Sequence, residues 1–181
     1  MRGAGAETNH WRTFVNCSLA LGLLGEGPVH AGASEHSHAT TEARPRPALE
    51  DKIRDLKAAR QGARERLGLP ACQAVLADFK SVNGGRLDEV LRASDRTAQE
   101  QLDLLALESG LGRHGCERGT VLAFTRVHSS VVSICISRFR AAGPREQEGA
   151  LIHEMLHSLG LGENPPESVA ITAQVMKRCG H

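Results

Sequence analysis

Two histidines one helical turn apart, with a glutamate beside the first, are the residues of this 181-residue chain best suited to chemistry. They are His153, Glu154 and His157, in "LIHEMLHSLG". At about 100° per residue, positions four apart share a helix face, so both imidazoles can reach one ion. Neutral imidazole and carboxylate oxygen suit Zn2+. In H-E-x-x-H helices the carboxylate takes the proton from a water that the ion acidifies to a pKa of about 7, which gives Glu154 the role of general base.

A catalytic zinc takes three protein ligands and leaves one position open, so a third donor is required. The longer segment "HEMLHSLGLGE" reads H-E-x-x-H-x-x-G-x-x-E, in which Gly160 permits a sharp turn that returns Glu163 to the ion. Other donors compete for the place. Glu167 follows two prolines and, with Ser168, suits the cap of the next helix. His181 ends the chain, and His114 and His128 are free to act as ligands or as donors to a transition state. The chain has no tyrosine, so an oxyanion would be met by the metal together with His128, an arginine or a backbone N–H. Met176, within "ITAQVMKRC", reads as helical core.

The segment resembles the extended zinc signature of the metzincin-type metallopeptidases, whose third ligand is usually His and in some families Asp; Glu163 is one methylene longer than Asp. It is also similar to the wider zincin superfamily, and to exported bacterial metallopeptidases with an "HExLHxLGLGENPP" segment followed by "xxIT", matched here by "ESVAIT". Similarity covers roughly residues 119–179. The resemblance implies a zinc metallopeptidase with a peptide or protein substrate, and an active-site helix packed under a sheet whose edge strand receives that substrate.

The elements that must hold these residues are readable from patterning. From Arg145 the apolar positions Ala150, Leu151, Met155 and Leu159 give the helix that carries the motif, and Gly160 stops it. Before it, "TVLAFTRV" and "SVVSICISRF" are β-rich runs separated near His128 and Ser129, the pattern of a hairpin. Val132, Ile134 and Ile136 alternate with Ser133, Cys135 and Ser137, which predicts one buried face and one open face. An exposed sheet edge is a template for an extended peptide. Upstream, "ALEDKIRDLKAARQGARERLGLP" places Leu49, Ile53, Leu56 and Leu67 near one helical face. "ACQAVLADF", "GRLDEVLRA" and "DRTAQEQLDLLALES" follow as shorter helices, the last with Leu102, Leu105 and Ala106 available for a core. The expected fold is α+β and zincin-like: a helical N-terminal part, a small hairpin or sheet, the active-site helix and a C-terminal helix, within a single catalytic domain over 49–181.

The remainder bounds where the protein works. Arg2 and Arg12 precede an apolar run at Thr13–Gly25, followed by the small residues of "VHAGAS", the pattern of a signal peptide over 1–33. That run is shorter than the roughly 18–20 residues of a membrane span, so no stable span is expected. Residues 34–48 are polar and Pro-containing, a linker in which His36 and His38 are solvated. A net charge of +1 without a basic block gives no footprint for nucleic acid. Cys17 falls in the signal, leaving Cys72, Cys116, Cys135 and Cys179. Four cysteines in an exported chain suggest two disulfides and a secreted or periplasmic location. Of three possible pairings we favour Cys116 with Cys135, across the hairpin, and Cys72 with Cys179, joining the ends of the domain. The rival to an enzyme is a non-catalytic exported module for zinc binding or protein interaction.

Overall fold

The computed structural model describes residues 54–180 apart from Arg118. The expected signal and linker, the helix start at Leu49 and Ile53, and His181 lie outside the described residues.

The described chain is an α+β assembly built around one helix. Helix α1, Arg54–Leu67, turns Leu56, Ala59, Ala63 and Leu67 into the core and leaves Arg54, Asp55, Lys57, Arg64 and Glu65 exposed. Small residues on its inner side allow close approach: a side chain at Gly62 would meet the Glu148 carboxylate of the motif-bearing helix. Two one-turn helices, α2 (Pro70–Gln73) and α3 (Val75–Asp78), then α4 (Leu87–Ala93) and α5 (Ala98–Asp103) follow. Thr97 caps α5, accepting from the Glu100 N–H while Glu100 accepts from the Thr97 N–H at 2.7 Å. Strand β1 is Ala106–Ser109, α6 His114–Glu117, β2 Ala123–Thr125 and β3 Val131–Ile134. Helices α7 (Ile136–Ala141), α8 (Pro144–Ser158) and α9 (Ser168–Cys179) complete it.

The three strands form one sheet of order β1-β3-β2. β2 runs antiparallel to β3 with Phe124 opposite Ser133, which is the expected hairpin. β1 runs parallel to β3 with Leu107 opposite Val132. Helix α8 packs against α1, α5, α9 and β2. Because it is surrounded, every residue from Leu151 to His157 is buried. Burying Leu151, Ile152, Met155 and Leu156 completely contributes roughly 1.5–3 kcal/mol each. Arg66 of α1 binds the Glu148 carboxylate of α8 and the Cys179 carbonyl of α9, so one guanidinium joins the three longest helices.

The two disulfides are Cys72–Cys179, which ties α2 to the end of α9, and Cys116–Cys135, which ties α6 to the end of β3. These are the pairings the sequence favoured. Among the described residues no helix is long and apolar enough to cross a membrane.

Three local expectations are corrected. Ala106 belongs to a strand, not to the helix of "DRTAQEQLDLLALES": α5 stops at Asp103, and the open edge of β3 takes the next segment, with the Ala106 N–H donating to Ser130 O and the Gly110 N–H to Ile134 O. Leu105 and Leu107 are buried on either side of exposed Ala106, a period of two that the helical reading overrode. Second, Ser133 and Cys135 are both only 4% exposed, so past exposed Val131 the middle strand of the sheet is covered on both faces. Third, "ISRF" is helical, because the Phe139 N–H turns back to Cys135 O and carries the ring into the core.

Candidate metal centre

Helix α8 starts at Pro144, whose fixed φ and missing N–H suit a first helical position, and Glu146 accepts from the Gly143 N–H at 2.6 Å. It ends at Ser158 with Leu159 as its C-cap, and Gly160 follows at φ +102°, a left-handed conformation open to glycine. This frame points His153 and His157 the same way: their Nε2 atoms are 2.9 Å apart. Past Gly160 the chain returns, and Glu163 Oε1 lies 3.3 Å from His157 Nε2 and 3.8 Å from His153 Nε2. The three donor atoms lie within 4.8 Å of one another, a group able to hold a metal ion. Two donors at about 2.05 Å from a tetrahedral ion would be about 3.3 Å apart, close to the separations found.

Each imidazole is held by its other nitrogen. His157 Nδ1 lies 2.8 Å from Leu161 O; a carbonyl only accepts, so Nδ1 carries the proton and Nε2 presents a lone pair. His153 Nδ1 lies 2.9 Å from Thr172 Oγ1. Burial, and then neighbouring His157, push the His153 pKa down to about 3, so the ring is neutral over the physiological range. The neutral His153 ring can offer a lone pair to a metal.

Glu154 is 5% exposed on the same helix. The Thr125 backbone N–H, at the end of β2, donates to its carboxylate. Its Oε2 is buried and has no hydrogen-bond partner among the described residues. Burial raises its pKa to about 8, and the negative charge of Glu163 adds to that rise. A buried carboxyl oxygen without a partner costs on the order of 1–3 kcal/mol, so an orphaned oxygen on the helix that carries two of the metal donors, within reach of the Glu163 charge, suits a ligand-bearing site better than a core.

The other sequence candidates are placed as follows. Glu167 occupies the N-cap position of α9, but its side chain makes no cap bond. His114 is exposed on α6 and outside the donor group. Met176 is half-buried, its sulfur 2.7 Å from where a Cβ on Gly149 would stand, a packing contact between α9 and α8. His128 is not in the donor group either, yet its N–H donates to His157 O at 2.9 Å and its ring lies against Gly160. Thr125 and Thr172 were not singled out by sequence reasoning. "ESVAIT" ends on Thr172, which was the available signal; a backbone N–H such as that of Thr125 has none.

No protein-family model, curated protein or solved structure matches this chain.

Proposed function

We propose that the protein is a zinc metallohydrolase of the zincin type, a peptidase, exported through its N-terminal segment and stabilised outside the reducing cytosol by its two disulfides. The observation that carries the reading is the convergence of His153 Nε2, His157 Nε2 and Glu163 Oε1, with a buried carboxylate, Glu154, following the first histidine on the same helix. Zinc is the ion these donors suit: two neutral imidazoles and one carboxylate leave a tetrahedral site one position short. Bound there, zinc supplies Lewis acidity and lowers the pKa of a water.

The chain's own residues supply the rest. His153 and His157 bind through Nε2, His153 oriented by the Thr172 hydroxyl and His157 held with a proton on Nδ1 by Leu161 O. Glu163 adds the one negative charge of the donor set. Glu154, ionised above its raised pKa of about 8 in the metal-free chain and at lower pH beside a bound cation, receives a proton at its carboxylate and passes it to the leaving amine. β2 pairs with β3 on one side only and its end adjoins Glu154, so an extended substrate strand placed along its other edge would bring a peptide bond toward the carboxylate.

The test is metal analysis of the purified chain with peptide-library cleavage, with Glu154→Gln as the control. The expected result is about one zinc per chain in both proteins and cleavage in the parent alone. A parent that binds no zinc from chelator-free buffer overturns the reading; cleavage retained in Glu154→Gln overturns the role of Glu154.

A further inference from the structure

The segment Gly160–Glu163, which brings the third donor to the histidines, has neighbours on both flanks. The turn after Phe79 lies along it: the Val82 N–H donates to Gly160 O at 2.8 Å, and Ser81 bridges Leu161. The Val82 side chain closes on Gly162, where a Cβ would stand 2.8 Å from Cγ1. His128 also packs on the segment. A Cβ on Gly160 would stand 2.4 Å from His128 Cε1, 3.1 Å from Nδ1 and 3.2 Å from Nε2, so the imidazole occupies the space that any other residue at 160 would need. The His128 backbone is left-handed, φ 64°, and its N–H is bonded to the carbonyl of His157. Such a conformation in a non-glycine residue costs energy and persists where the surroundings hold it.

The end of β2 and the loop after it therefore grip the site twice, through Thr125 on Glu154 and through His128 on His157 and Gly160. We propose that His128 is a positioning residue for the metal centre: its ring, seated against Gly160, sets the course of the Gly160–Glu163 segment and so delivers the Glu163 carboxylate to the two histidines. The inference rests on the metal-site reading above. Its physical basis is preorganisation. Glu163 is 43% exposed and stands outside any helix or strand, so its carboxylate is a strong donor only if the backbone beneath it is already in place. Glycine at 160 and a ring at 128 form a matched pair: one leaves the gap that the other fills.

The experiment titrates zinc into the full chain against a competing chelator and records the visible spectrum of the Co2+ form. His128→Ala should weaken zinc binding about ten- to hundredfold, the range typical of residues that hold ligands in place, and should shift the Co2+ bands. His128→Asn, which tolerates the left-handed backbone but lacks the ring, should match it, and it serves if the alanine variant folds poorly. His128→Phe keeps a ring over Gly160 and should retain affinity within about threefold. Zinc affinity and Co2+ spectra unchanged in the alanine and asparagine variants overturn the proposal and leave the metal site standing. A phenylalanine variant as weak as alanine overturns the packing role of the ring. A parent chain that binds neither metal overturns the metal-site reading, and the role of His128 with it.

Discussion

The hydroxyl of Thr172 lies 2.9 Å from Nδ1 of His153, joining α9 to the motif-bearing face of α8 across 19 residues of sequence. The contact fixes the ring's rotation, so that Nε2 rather than Nδ1 meets His157. Thr172→Val keeps the shape and removes the bond. Zinc affinity should fall about ten- to hundredfold, with the helical circular dichroism unchanged, while Thr172→Ser should recover most of it. Affinity in the valine variant equal to the parent's would show that the ring needs no partner.

Gly160→Ala meets two obstacles, the left-handed backbone and the His128 ring. The backbone term alone is on the order of 1–3 kcal/mol, so the urea midpoint should drop clearly. In the His128→Ala background the same change should cost less, by about 1 kcal/mol, because the steric part has gone. Strict additivity of the two substitutions would deny the contact.

The metal-free protein should have an unusual stability profile with pH. The Glu154 pKa is raised from near 4.5 to about 8, so between those values the folded chain holds a proton that the unfolded chain has released, and stability falls as pH rises across that window. The His153 pKa is lowered from 6.5 to about 3, so between those values the unfolded chain holds the extra proton, and stability falls as pH drops. From these two groups, the profile is flat from about 4.5 to 6.5 and declines on both sides. Denaturation curves at stepped pH in the presence of chelator would show it. Glu154→Gln should flatten the alkaline decline, and an undiminished decline in that variant would refute the assignment.

The two disulfides should differ in what they contribute. Cys72–Cys179 closes a span of 107 residues and Cys116–Cys135 one of 19. Loop-closure entropy in the unfolded chain makes the longer bridge worth about 1.5 kcal/mol more. Paired alanine replacements, compared by urea midpoint, should follow that order.

Much of the site was legible in sequence because it is local. His153, Glu154, His157, Gly160 and Glu163 fall within 11 residues, and helix periodicity plus one glycine turn are enough to bring them together. What supports them was less legible: His128 stood among several candidate donors, and Thr172 only as the end of "ESVAIT". Thr172 and His128 act across gaps in sequence, and Thr125 acts through its backbone, where any residue but proline would read alike. The fold follows the same division. The hairpin and the long helices carry their own periodicity, whereas β1 exists because the edge of β3 was open to a segment whose Leu105-x-Leu107 spacing is too short to announce a strand.

The complete burial of α8 from Leu151 to His157 has a consequence beyond the reaction. The helix that presents the donors is also the central pillar on which α1, α5, α9 and β2 rest. Removing the proposed ion from such a helix would take away the bonds that join its two histidines to Glu163 at the middle of the molecule, so a chelator should act on this protein as a mild denaturant. Metal occupancy and resistance to unfolding would rise and fall together, by about 2.7 kcal/mol at a free zinc concentration a hundred times the dissociation constant.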